Sequence, residues 1–456
     1  MKHLTAETIR TACNGILQGT PFAGELTEIV TDSRKVTPGC LFAAIRGERA
    51  DGHDYIAAAF EKGAACCLAE RVPDTNVSGC LLLVPDTVTA LQKIAGAYRK
   101  EFNKIPLIGV TGSVGKTTMK EMVFAALSRR FRVHKTEGNF NNDLGVPLTL
   151  FGLREEHEAA VVELGVSHPG DMARIASIAA PTMAVYTNIG DAHLEYLGSR
   201  EGVLREKSSM NMYLPEGAAV FCNGDDPLLW AMPCRDGLRK VLYGLSEDCA
   251  VRASGIETLP DGTTACDITA GAQCFRVVIP AFGEHMVYAA LGAASVGFVL
   301  GLTAEEIAAG ISDYAPVGRR ARFYRAGALT LIDDCYNANP SSTAAALRSL
   351  SRLEVKGRKV AVLGDMLELG EASEALHRET GTLARECGIG LVLTTGTQAR
   401  CIAEGAGREI ARHFAEKSEL IRALPALLAP GDTVLVKASR GARFEEITAA
   451  LETLFP

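Results

Sequence analysis

Short apolar runs recur along the chain, separated by segments in which apolar residues return every three or four positions. In the middle of the chain the runs fall at 105–110, 159–164, 184–188 and 218–222; near the end they fall at 359–364, 390–395 and 433–437. Runs of this length without alternating polar positions predict strands buried on both faces. The periodic segments between them, such as 119–130 and 371–387, predict the helices that cover those strands. The alternation predicts an α/β fold built on parallel sheets. Residues 286–304 carry no charge and hold Gly292, Gly297 and Gly301 among many alanines. Their length is borderline for a bilayer and their hydrophobicity low, so they read as a buried helix on a sheet, and no membrane insertion is expected.

Length sets the number of such units. At ~150 residues per domain, 456 residues give about three domains. A polar stretch at 100–104 and a Pro/Gly break at 313–318 divide the chain into 1–104, 105–315 and 316–456. Hydrophobic residues at 47% and charged residues at 22% argue against wholesale disorder. The net charge of −7 gives no global attraction for nucleic acid or anionic membrane, so any anionic ligand needs a local site. The 13 cysteines are odd in number and form no CxxC pair, which argues against a disulfide framework and a structural zinc site. Residues 1–7 contain no apolar run, so no secretory signal is read and a reducing, cytoplasmic setting is expected.

The strongest local signal is Gly109-Val110-Thr111-Gly112-Ser113-Val114-Gly115-Lys116-Thr117-Thr118, between an expected strand and an expected helix. Glycines let backbone N–H groups turn toward phosphate oxygens, and the helix N-terminus adds its dipole. Lys116 then reaches the β- and γ-phosphates, and the Thr117 hydroxyl suits Mg²⁺. In the general phosphate-loop spacing the first glycine would stand at Val110; here it stands one residue earlier, at Gly109.

Thr111 to Thr118 resembles the ATP loop of the Mur ligases, which build the peptide of bacterial cell-wall precursors. Further stretches resemble the member that adds D-alanyl-D-alanine. They are Gly138-Asn139-Phe140-Asn141-Asn142-Asp143-Leu144-Gly145-Val146-Pro147, Asp334-Cys335-Tyr336-Asn337-Ala338-Asn339-Pro340 and Leu363-Gly364-Asp365-Met366-Leu367-Glu368-Leu369-Gly370, with Lys437-Ala438-Ser439-Arg440-Gly441 close to the family's Lys-Gly-Ser-Arg. The likeness covers essentially the whole chain. It implies a smaller α/β N-terminal domain, a central phosphate-loop ATPase domain on a parallel sheet, and a Rossmann-like C-terminal domain.

The implied reaction is ATP-driven amide formation through an acyl phosphate. Its first step brings together two anions, so cations must be in place beforehand. The resemblance implies ATP, two Mg²⁺ ions and a carbamate made from CO₂ on Lys207. Gly112, Ser113, Val114, Gly115, Lys116, Thr117 and Thr118 would hold phosphates, with Thr117 also on the metal. Glu163, at the end of an expected strand, is by itself an ordinary strand-end acid or a ligand at the sheet crevice; the family match makes it a metal-binding glutamate. His193 resembles the metal-site histidine. Lys207 reads on composition alone as a solvated helix lysine, but it stands 14 residues after His193, as the family's carbamylated lysine does. Asn139 and Asn142 would orient phosphate or acyl groups, or simply bond within their loop. Arg320, or its neighbour Arg319, would reach ATP from the third domain, with Tyr336, Asn337 and Asn339 at adenosine or in a turn. The family's asparagines at two positions are here Met286 and Ala289, which puts adenine contacts from that helix in doubt.

The implied substrates are UDP-MurNAc-tripeptide and D-alanyl-D-alanine, acted on by a monomer. For the first, the matching segments are Thr31-Asp32-Ser33-Arg34-Lys35 and Gly47-Glu48-Arg49-Ala50-Asp51-Gly52-His53-Asp54. Ser33 and Arg34 suit a diphosphate or acidic peptide; Asp51, Gly52 and His53 could equally cap a helix or fill a turn. For the second, Lys437, Ser439 and Arg440 suit a small carboxylate or form a solvated strand end. The competing readings are the Mur ligase that adds a diamino acid, folylpolyglutamate synthase, and a non-catalytic nucleotide switch. The first lacks its Asp-Asn-Pro-Arg segment here, and the last leaves the candidate metal ligands without a purpose.

Overall fold

The computed structural model describes residues 1–47, 50–74 and 79–455, and among them three separate sheets form. The first has five strands in the order Ile16–Gln18, Cys80–Leu83, Cys66–Ala69, Leu41–Ala43, Ile29–Val30. All its pairs are parallel except the first. Helices Ala6–Cys13 and Thr87–Glu101 bury Ile9, Leu91 and Ile94 with the strand residues Leu41 and Leu68.

The second sheet has nine strands. Leu107–Thr111 lies between Ala159–Glu163 and Met183–Tyr186, and the parallel set continues through Ala219–Asn223 and Arg239–Gly244 to Val251–Thr258. Val133–Lys135 pairs on the far side of Ala159–Glu163. The expected buried strands appear within two residues of their predicted bounds. The parallel expectation is incomplete, however, because Val251–Thr258, Thr264–Ala270 and Gln273–Ile279 form an antiparallel meander. These strands expose one face, so they offer no continuous apolar run to read.

The third sheet has six strands in the order Arg322–Ala326, Leu329–Asp333, Thr433–Lys437, Lys359–Leu363, Leu391–Thr395, Ala411–Phe414, antiparallel only at the first pair. The uncharged stretch becomes helix His285–Val299, buried along most of its length against helix Lys116–Leu127 and the central sheet. Among the described residues no helix is long and apolar enough to cross a membrane. All 13 cysteines are free.

In parallel sheets, ligands gather where strands end and the connections part. Three consecutive central strands end together here. Val110 pairs with Glu163 on one side and Val185 on the other, so the phosphate loop, Glu163 and the segment leading to His193 all start at one edge.

Candidate functional site

A cleft of about 1170 Å³ opens at that edge, lined by residues of the central and third sheets' connections. Its floor is the loop from Gly112 to Lys116. Gly112 has φ +153, and a Cβ there would lie 1.9 Å from Thr187 Oγ1, so only glycine fits. The loop is braced from the neighbouring connection. Ser113 N–H donates to the Asn188 carbonyl at 3.0 Å and Val114 N–H to Asn188 Oδ1 at 2.8 Å. Gly115 opens helix Lys116–Leu127, and Thr118 lies in its first turn. Lys116 Nζ folds back onto the carbonyls of Gly112 and Ser113, at 2.8 and 3.3 Å. Burial lowers this ammonium below the ordinary lysine range; Glu163 opposes the shift and Arg320 adds to it.

Thr117 Oγ donates to Glu163 Oε2 at 2.8 Å, and Asn141 Nδ2 to Oε1 at 2.7 Å. Both donors are neutral, so neither cancels the charge of this buried carboxylate. Asn141, to which the sequence assigns no role, lies in the 138–147 stretch between Asn139 and Asn142. Asn139 is exposed at the cleft, and Asn142 Oδ1 accepts from Gly145 N–H at 2.9 Å, holding the turn into helix Gly145–Phe151. The observed contact of Asn142 is therefore within its loop.

The charges of Lys116, His193 and Lys207 act on one another. Burial, then Lys116, pushes the His193 imidazole below its ordinary value; Lys207 acts the same way and Glu368 opposes. Lys207 is fully buried, not solvated, and its Nζ has no hydrogen-bond partner among the described residues. Burial pushes it far below the lysine range, aided by Lys116 and opposed by Glu206. Among the described residues no three His, Cys, Asp or Glu side chains converge to hold a metal by themselves. A metal here would need Thr117, Glu163 and His193 supplemented by a further anion.

Across the cleft, the Arg320 guanidinium lies 3.9 Å from the Tyr336 ring centroid. Arg319 is instead committed to Asp333 and Thr448, each at 2.6 Å, so Arg320 is the arginine that faces the cleft. Arg440 approaches the same tyrosine, with Nη1 3.4 Å from its hydroxyl. Lys437 Nζ is bound by Asp334 at 2.5 Å and by the Asn337 carbonyl at 3.1 Å. Ser439 Oγ donates to the Ala338 carbonyl at 3.1 Å. Asn339 caps helix Pro340–Arg352 through Ser342 N–H at 2.8 Å. Met286 and Ala289 line the cleft as buried apolar groups, next to His285, whose Nδ1 lacks a partner among the described residues.

The first-domain candidates are not among the cleft's lining residues. Arg34 is exposed and pairs bidentately with Asp32, at 2.9 and 2.8 Å, which holds that carboxyl below its usual range. The Ser33 carbonyl accepts from Lys62 Nζ at 2.8 Å. Asp51 caps the turn Gly52–Tyr55, accepting from His53 N–H at 3.0 Å and lying 2.6 Å from His53 Nδ1. His53 Nε2 accepts from Glu70 N–H at 2.9 Å, so both ring nitrogens are used inside the domain. Glu48 and Arg49 lie outside the described residues.

The Mur ligase middle domain matches residues 110–297; the Mur ligase glutamate ligase domain matches 318–440, and the Mur ligase family catalytic domain 25–123. The UDP-N-acetylmuramoyl-tripeptide–D-alanyl-D-alanine ligase of Bacillus subtilis (strain 168) is 39% identical over 430 residues, covering 93% of this chain and 92% of that protein. A crystal structure of MurF from Acinetobacter baumannii superposes with a TM-score of 0.91 at 31% identity over 99% of both chains. That of MurF ligase from Thermotoga maritima in complex with ADP gives 0.84 at 30% identity, over 94% of this chain and 97% of that one.

Proposed function

The chain belongs to the Mur ligase family, and from that premise we propose that it joins D-alanyl-D-alanine to the terminal carboxylate of UDP-MurNAc-tripeptide, with ATP cleaved to ADP and phosphate. The tripeptide carboxylate takes the γ-phosphoryl group to become an acyl phosphate, and the dipeptide amine then displaces phosphate. The observation that carries this reading is the convergence of the braced phosphate loop, the Thr117–Glu163 pair and Arg320 on one cleft, in a chain that matches relatives of that name almost end to end.

The loop N–H groups of residues 112–118 cradle the phosphates, and Lys116 leaves its carbonyl contacts to reach the transferring group. Arg320 approaches ATP from the third domain, with Tyr336 as a face for adenosine and Asn337 and Asn339 shaping its turn. Thr117, Glu163, His193 and a carbamate on Lys207 would hold two Mg²⁺ ions, which supply positive charge to the phosphates and the attacking carboxylate. The orphaned, neutral-tending amine of Lys207 fits that assignment: only a neutral amine adds to CO₂, and the product is an anionic oxygen ligand. Arg440 is our choice for the dipeptide carboxylate, since Lys437 and Ser439 are already engaged in holding the 336–339 turn. In the N-terminal domain, 1–104, Ser33 and Arg34 face the UDP substrate, with Asp51, Gly52 and His53 shaping the neighbouring loop. The central domain is 105–315 and the amine-side domain 316–456. We take the enzyme to be a cytoplasmic monomer.

Phosphate release that requires UDP-MurNAc-tripeptide and D-alanyl-D-alanine together is the expected result, with lysine and diaminopimelate tripeptides both tried. ATP binding without phosphate release under any substrate pair sinks the reading.

A further inference from the structure

We propose that Glu368 is a positioning residue for His193, so that the approach of the third domain to the central one is registered directly at the metal-site histidine. This rests on the reading of His193 given above.

Glu368 Oε2 lies 2.6 Å from His193 Nδ1, and the two residues come from connections of different sheets. Both backbones are left-handed without being glycine, with φ +58 at His193 and φ +61 at Glu368. Such a conformation is unfavourable for residues other than glycine and persists where the surroundings enforce it. The surroundings do enforce it on the Glu368 side. Asp365 accepts from Thr397, Gln398 and Ala399 N–H at 3.1, 3.0 and 2.7 Å. Met366 N–H donates to His377 Nε2 and Leu367 N–H to Ser439 Oγ, both at 3.0 Å. On the His193 side, Arg200 clamps Asp191 through two contacts of 2.7 and 2.5 Å. The two loops meet closely: a Cβ on Gly370 would stand 3.5 Å from the Glu195 backbone.

A carboxylate at Nδ1 keeps the ring proton there and leaves Nε2 as the lone-pair donor, the tautomer a metal-ligating histidine needs. The contact is close but not aligned, and Nδ1 has no geometrically good hydrogen bond in this arrangement. Glu368 thus acts through His193, while the loop binds nucleotide, and Thr117 and Glu163 would hold metal, without it.

The test is Mn²⁺ titration of the full-length protein with a non-hydrolysable ATP analogue, followed by electron paramagnetic resonance. Glu368→Ala weakens the weaker Mn²⁺ site about tenfold, as loss of a carboxylate that orients a ligating histidine does, and His193→Ala does likewise. The double variant is no weaker than His193→Ala alone, because the two residues act as one unit. Glu368→Gln keeps an acceptor oxygen at the same reach and recovers part of the loss. Wild-type Mn²⁺ affinity in Glu368→Ala, or additive losses in the double variant, overturns the proposal. Neither peptide substrate enters this measurement, so a protein that passes it yet fails the phosphate-release assay loses the ligase reading and keeps the role of Glu368.

Discussion

Lys207 shows how far one residue's surroundings can depart from its composition. By itself it is a helix lysine with its amine in water. In the fold it is sealed off, unpaired and pushed toward the neutral form. An unpaired buried polar group costs about 1–3 kcal/mol, and a lysine whose proton is held less tightly when folded than when unfolded adds to that cost at any pH below the ordinary lysine value. Lys207→Met is therefore expected to raise the melting midpoint while abolishing phosphate release. Lys207→Ala is expected to lose activity and to regain part of it with added short carboxylates. Unchanged turnover in either variant would refute the carbamate role. The spacing from His193 made Lys207 legible only through a family likeness, since nothing in a linear sequence reports that an amine is buried. Asn141 and Glu368 were within quoted motifs but carried no role, because which side chain of a loop points inward is decided by its anchors.

At the level of elements, the buried parallel strands were legible because burial on both faces leaves a continuous apolar run. The meander at 251–279 was not, because its strands alternate between core and solvent in an irregular pattern with a register shift between Ser254 and Glu257. One element contact predicts a pH response. His134, on strand Val133–Lys135, donates from Nε2 to the Thr149 carbonyl at the end of helix Gly145–Phe151, at 2.6 Å. Burial pulls it from its ordinary 6.5 down to about 4. Between those values the unfolded chain binds a proton that the folded chain refuses. Stability is therefore full above pH 6.5, falls as pH drops, and levels off near pH 4. His134→Gln should flatten that slope by roughly 1–2 kcal/mol between pH 7 and 5, measured by urea melts at both pH values. An unchanged slope would mean that other histidines set it.

For the whole molecule, three sheets follow one another along the chain, with domain junctions expected near 104 and 316. The cleft lies between the second and third, while Arg34 and Ser33 stand outside its lining. Bringing all three substrates together requires the domains to close. Small-angle scattering should therefore show a smaller radius of gyration on saturation with an ATP analogue and UDP-MurNAc-tripeptide; an unchanged curve counts against closure. The sequence by itself determined the α/β class, the three-part length, the phosphate loop and the family, because these depend on local periodicity and on contiguous motifs. Only the tertiary structure decided which of two adjacent arginines faces the cleft, that His53 is spent inside its own domain, and that Glu368 meets His193. Those outcomes depend on contacts between residues up to 175 apart in the chain (368 − 193), and such contacts exist only once burial has fixed how the strands stack and where their ends converge.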